Sequence, residues 1–171
     1  MMEWTVKAAG TGYVLTAPGH DCACLIGKAG TIAATDKREG DMATPTGRWQ
    51  LRRVFFRPDR LPPLQTALSS VPLHDRLGWC DDPADPFYNQ LVELPFEASH
   101  ERMWRDDHLY DLVVELGFND APPAAGHGSA IFLHLREPHT THTAGCVAVT
   151  QDDLLHLLSI AEADTWLRVA V

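Results

Sequence analysis

The sequence predicts a mainly β protein carrying one marked helix, and three observations lead to that expectation. Short runs rich in Val, Ile, Leu and aromatic residues recur along the chain, each closed off by Gly, Pro or Asp. Only one segment joins a helix N-cap signature to apolar residues at helical spacing. Between these regions lies a proline-rich stretch with no sustained periodicity, the composition of a long loop. The 171 residues are 45% hydrophobic and 22% charged, enough to bury a core, so residues 1–171 are expected to form a single domain.

The first third reads as hairpins. Trp4 to Ala8, Gly12 to Thr16 and Cys22 to Ile26 are strand-like, with Gly10, Pro18-Gly19 and Lys28-Ala29-Gly30 as turns between them. Arg48 to Phe56 continues as a partly exposed strand. From Pro58 to Pro95 an irregular excursion with at most short strands is expected. Glu97 to Asp107 reads as a helical turn. Leu109 to Phe118, Ser129 to Leu135, Gly145 to Val149 and Thr165 to Val171 then return to strand-like composition. Thr150 precedes Gln151-Asp152-Asp153 and an apolar run, so it is positioned to accept from the third helical N–H while Asp153 reaches back. The helix is placed from Gln151 to about Ala163, with Leu154, Leu155, Leu157, Leu158 and Ala161 on its buried side.

Charge and cysteine usage narrow the function classes. A formal charge of −9 argues against phosphate-backbone binding, and the only basic run, Arg48 to Arg60, is broken by aromatics and Pro; no nucleic-acid partner is expected. No run reaches the roughly 18 uncharged apolar residues of a membrane span, and the first residues, Met1 to Lys7, carry no visible signal peptide. Four cysteines in a chain able to build its own core do not read as a disulfide framework, which leaves thiols free for chemistry.

The chemistry concentrates between Gly126 and Asp153. A strand ends in His134, a polar loop follows, and Thr143-Ala144-Gly145-Cys146 enters a second apolar strand. A thiol becomes a nucleophile when a neighbouring imidazole takes its proton, so Cys146 with His134 is a minimal apparatus for an acyl-enzyme. Gly145, lacking a Cβ, admits a substrate carbonyl to the backbone N–H groups around it, an oxyanion loop. His134 needs an acceptor for its other ring nitrogen, which the sequence does not name. Arg136, two residues on, would share its strand face, either as a carboxylate clamp or as a simply exposed residue. Competing readings stay open. His134, His139, His142 and Cys146 have the residue types of a zinc site. Cys22 and Cys24 share a strand face and could be half of another, although no matching pair follows, and with Cys80 they read as core residues. His127 reads as a solvated loop residue. Gly40 to Gly47 lacks the Gly-Lys-Ser/Thr ending of a phosphate loop and reads as a structural turn near the cleft.

Three motifs in order, Gly40-Asp41-Met42-Ala43-Thr44-Pro45-Thr46-Gly47, Ile131-Phe132-Leu133-His134 and Thr143-Ala144-Gly145-Cys146-Val147, resemble the L,D-transpeptidase catalytic domain, also called the YkuD domain. The resemblance implies a YkuD-like β-sandwich of curved mixed sheets, with long loops and the one marked helix after the catalytic Cys. It implies a cysteine acyltransferase of the cell envelope or periplasm, sensitive to carbapenems, that works on peptidoglycan stem peptides through a thioester and without metal or other cofactor, and a monomer is expected. Cys146 would inherit the nucleophile, His134 the base, Gly145 the oxyanion loop and Thr143 the Ser or Thr before it, as a substrate-binding residue beside Arg136. Ala144 stands where the family has His, Ala148 where it has Arg, and the interval from His134 to Cys146 is short. With Trp79-Cys80-Asp81-Asp82-Pro83 and Tyr88-Asn89, these departures resemble a branch associated with 1,3 cross-links (L-Ala to diaminopimelate) in place of 3,3 links. The alternatives are a zinc-binding hydrolase and a noncatalytic wall-binding module.

Overall fold

The structure, a computed structural model, describes residues 1–170, and among these it contains thirteen strands and one helix. The main sheet is built around β5 (Thr44–Phe56), long enough to pair with several partners along its length. One half of β5 meets β13 (Trp166–Val169), followed by β1 (Glu3–Ala9), β2 (Gly12–Ala17) and β3 (His20–Cys24). The other half meets β10 (Leu112–Leu116), then β11 (Phe132–Leu135) and β12 (Val147–Val149). Two short strands, β4 (Thr31–Ala33) and β6 (Ser69–Pro72), add to β5 in parallel. A separate three-stranded sheet joins β7 (Leu77–Cys80), β8 (Leu91–Glu93) and β9 (His100–Arg102).

The ten-stranded sheet curls until its ends meet. Leu25, just past β3, exchanges both backbone hydrogen bonds with Ala148 of β12, at 2.8 and 2.9 Å, and Thr143 does the same for the Ile26–Lys28 segment. Closure in this way removes the exposed edges that strands would otherwise present to other chains. Side-chain alternation then sends each strand's residues to two cores. Leu51, Val54, Leu112, Val114, Leu133, Leu135, Val147 and Val149 join the larger core, which also holds Leu154, Leu157 and Leu158 of α1 (Gln151–Ile160). Phe55, Val113, Phe132 and Cys146 face the other way, onto Leu77 and Trp79 of β7, Met103 and Tyr110. Each such fully buried aliphatic or aromatic side chain contributes about 1.5–3 kcal/mol.

The expected fold class, mainly β with curved mixed sheets, long loops and a helix after Cys146, is the one observed. Several element bounds differ. Residues 97–107 are not helical: His100–Arg102 pair with Cys80, Trp79 and Gly78, and burial of Met103 beneath that pairing overrides the local helical propensity. The third strand starts at His20, and Leu25 and Ile26 belong to the closure seam. The helix stops at Ile160, ahead of the expected Ala163, because Ala161 is already extended. Within the expected Thr165–Val171 strand, Trp166–Val169 are strand, and Val171 lies outside the described residues. At the helix start, Thr150 Oγ1 accepts from the Asp153 N–H as expected, but the Asp153 carboxylate accepts from the Thr150 hydroxyl and is hydrogen-bonded to His20 Nε2, rather than reaching the cap N–H.

Candidate functional site

Parallel pairing of β11 with β12 sets the geometry. His134 lies opposite Ala148 and Leu133 opposite Val147, so Cys146, one residue before β12, falls opposite Phe132, and its side chain shares the face that carries Phe132 and His134. Both Cys146 and His134 line a cavity of about 500 Å³, together with Lys37, Met42, Glu101, Tyr110, Ala130 and Thr143. Cys146 is 7% exposed and His134 6%, so each is buried except where it faces this cavity.

The ring of His134 is fixed in one tautomer by its neighbour. Nδ1 lies 2.7 Å from the Leu135 carbonyl, which can only accept, so Nδ1 carries the proton and Nε2 keeps a lone pair. The orienting acceptor that the sequence does not name is therefore backbone. Tyr110 packs edge-on against the imidazole with ring centres 5.3 Å apart. Burial lowers the His134 pKa to about 4, against an ordinary 6.5, and keeps the ring neutral at neutral pH.

The thiol is equally constrained. Cys146 Sγ donates to the Ala130 carbonyl at 3.1 Å and accepts from the Phe132 N–H at 3.4 Å. Burial first, and the nearby Glu101 carboxylate second, push its pKa up to about 12, so the resting pair is neutral thiol and neutral imidazole. Glu101 Oε1 accepts from the Tyr110 hydroxyl at 2.7 Å, and burial raises the Glu101 carboxyl above its ordinary range.

Gly145 is required where it stands. Its φ is +138°, and a Cβ there would lie 2.9 Å from the Ala43 carbonyl oxygen. The Gly40–Gly47 segment thus packs directly under the Cys146 loop. Asp41 organises that segment: burial works to raise its pKa, but hydrogen bonds from the Arg38 N–H, Lys37 Nζ and Ala43 N–H outweigh it and hold the carboxyl below the usual range. Thr44 Oγ1 accepts from the Gly27 N–H at 2.8 Å and donates to the Cys146 carbonyl at 3.4 Å. Thr143 Oγ1 accepts from the Gly145 N–H and donates to the Cys146 carbonyl at 2.6 Å, so it shapes the loop from within.

The Trp79–Asn89 segment supports the opposite wall. Asn89 Oδ1 accepts from Trp79 Nε1 and the Ala130 N–H, while its Nδ2 donates to the Phe118 and Asn119 carbonyls, so every polar atom of this buried amide is used. Ala130 is thereby held at φ +52°, an uncommon value for a residue with a Cβ, and its carbonyl faces the thiol.

Not every residue singled out in the sequence reaches the cavity wall. Arg136 is absent from the cavity wall and sits near Cys22 and Cys24, one residue past the end of β11; the expected clamp role is not supported by this position. Of two further arginines, Arg76 is exposed and paired with Glu93, and Arg105 reaches the cavity but is held bidentately by Asp107. His139 and His127 are exposed, and His142 lies at the cavity rim. The His134, His139, His142 and Cys146 set does not converge as a metal cluster; among the described residues only His20, Cys22 and Asp153 do so. Glu101, Tyr110, Ala130, Asn89 and Thr44 carry no sequence signal for the site beyond, for Thr44 and Asn89, their place in quoted motifs.

The model of the family described as the L,D-transpeptidase catalytic domain, YkuD, matches residues 4–171. The chain belongs to the YkuD family. Two solved structures are similar in fold: an L,D-transpeptidase from Mycobacterium smegmatis, at 11% identity and a TM-score of 0.43, and L,D-transpeptidase 1 of Mycobacterium tuberculosis, at 10% and 0.40. Each alignment covers 99% of this chain but 58% and 61% of those chains, so this YkuD chain spans about three-fifths of their length. A search of curated proteins finds no match. No helix of this YkuD chain, among the described residues, is long and apolar enough to cross a membrane.

Proposed function

We propose that this protein is a peptidoglycan L,D-transpeptidase of the cell envelope, working through a thioester on Cys146. The observation that carries the reading is the placement of His134, whose Nε2 bears a lone pair, and the Cys146 thiol on one sheet face at one cavity. When a donor stem enters, the thiol proton passes to Nε2 as sulfur attacks the carbonyl, and a tetrahedral oxyanion forms. Gly145 N–H is already donating to Thr143, which leaves the N–H groups of Ala144 and Cys146 as oxyanion donors. Collapse breaks the C–N bond, the leaving amine takes the proton from His134, and the acyl group stays on sulfur. An acceptor amine then attacks the thioester, His134 receives the amine proton, and it returns that proton to the departing thiolate.

Ala148 is fully buried beside His134 and Ala144 is exposed, so neither brings a charged group to the donor. That departure, with the Trp79–Asn89 wall, supports 1,3 links from L-Ala to diaminopimelate over 3,3 links. The test is intact-mass spectrometry after carbapenem treatment, followed by muropeptide analysis of cross-links formed. One adduct on Cys146, lost in Cys146→Ala, and a 1,3 product are expected. Wall binding that survives in Cys146→Ala with no adduct in the wild type would indicate a noncatalytic module, and chelator-sensitive hydrolysis by a wild type that forms no adduct would indicate a zinc hydrolase.

A further inference from the structure

The closure seam is antiparallel where Leu25 meets Ala148, so the chain before Leu25 lies beside the chain after Ala148. Cys146 occupies one end of this seam. At the other end β3 meets the first turn of α1, and three donor atoms converge there, two from β3 and one from a residue 133 positions beyond His20: His20 Nε2, Cys22 Sγ and an Asp153 oxygen, all within 4.8 Å of one another. His20 and Cys22 share a strand face, and one turn of helix carries His156 from Asp153 onto the same side. The His156 ring lies against His20 with centroids 4.4 Å apart and, among the described residues, has no hydrogen-bond partner.

We propose that His20, Cys22, Asp153 and His156 form a site for a zinc-class divalent cation. Zinc takes four N, S or O donors, and its bond lengths space tetrahedral donors by about 3.3–3.8 Å. The three converging atoms need only small side-chain rotations to reach that spacing, and His156 is adjacent and uncommitted. Two imidazoles with one thiolate and one carboxylate balance the double positive charge, and the Cys22 proton leaves to solvent on binding. The second Asp153 oxygen accepts from the Thr150 hydroxyl, which orients the ligand from behind. The ion would clip β3 to α1 and so brace the seam whose far end carries Cys146. This site is independent of the acyl-transfer reading, since none of its ligands lines the cavity.

The test is titration of the metal-free full chain with cobalt, read by thiolate-to-metal charge-transfer absorption, and with zinc, read by thermal melting. One equivalent of cobalt should bind with a sulfur charge-transfer band and tetrahedral visible absorption, and zinc should raise the melting temperature. Cys22→Ser should remove the band. His156→Ala, at an exposed position where folding is not at stake, should weaken binding at least tenfold, and Cys146→Ser should retain the full signal. No saturable uptake by the wild type, a band that persists in Cys22→Ser, unchanged affinity in His156→Ala, or a signal lost in Cys146→Ser would each overturn the proposal.

Discussion

The imidazole of His134 is held neutral by burial, and that single property sets how the proposed chemistry responds to pH. With its pKa lowered to about 4, the base stays competent through the range where an ordinary histidine would protonate. The rate of Cys146 acylation by a carbapenem should therefore show no loss between pH 8 and 5, and a fall centred near 6.5 would refute the assignment. Stability follows the same group. Between about 6.5 and 4 the unfolded chain binds a proton at this histidine that the folded chain refuses, so stability declines as the pH falls through that window, by on the order of 3 kcal/mol. His134→Gln should flatten that part of the pH–stability curve while cutting acylation by about 10²–10⁴-fold. The thiol adds its own signature. Held near 12 and donating to Ala130, Cys146 should resist iodoacetamide, which needs preformed thiolate, yet accept a carbapenem carbonyl that His134 helps it attack. Rapid alkylation at neutral pH would contradict this.

Single residues hold whole elements in place around the site, and their substitution should be costly. Asn89→Ala leaves Trp79 Nε1 and the Ala130 N–H without their acceptor, a loss of roughly 3 kcal/mol or about 6–12 °C in melting temperature, measurable by calorimetry. Gly145→Ala forces a Cβ against the Ala43 carbonyl and should lower carbapenem acylation more than tenfold in a stopped-flow assay. These two positions also show what was legible in the sequence. Gly145 sits in a motif whose backbone admits no Cβ, His134 lies in a strand whose composition announces it, and Cys146 immediately precedes another. Asn89 becomes meaningful only once the Pro58–Pro95 excursion is folded over the site, since local composition cannot show which backbone a loop amide will satisfy. Residues 97–107 fail for a related reason, because the pairing of His100–Arg102 with β7 is a long-range event invisible in local propensity. Arg136 looked suitable by strand alternation alone, which holds only while the strand continues, and it ends at Leu135.

At the scale of the molecule, the curled sheet joins its two ends through Leu25 and Ala148, and the groove is built at that junction. If the junction belongs to the cooperative core, the Leu25 and Ala148 amides should exchange with deuterium as slowly as those of Val114 at the sheet centre; fast exchange at the junction alone would show a groove that breathes independently. The net charge of −9 acts only on this scale, favouring solubility and leaving the local cavity to be set by Glu101, Lys37 and their partners. Strand β13 has a consequence for biosynthesis. It lies between β1 and β5, hydrogen-bonded in parallel to β1 and antiparallel to β5, so on that side the two flanking blocks stay unjoined until residues 166–169 have been made, and the seam at Leu25 and Ala148 links them only from the other side. A nascent chain stalled ahead of Trp166 would hold Cys146 and His134 on paired strands, in a sheet fastened along one side and open along the other.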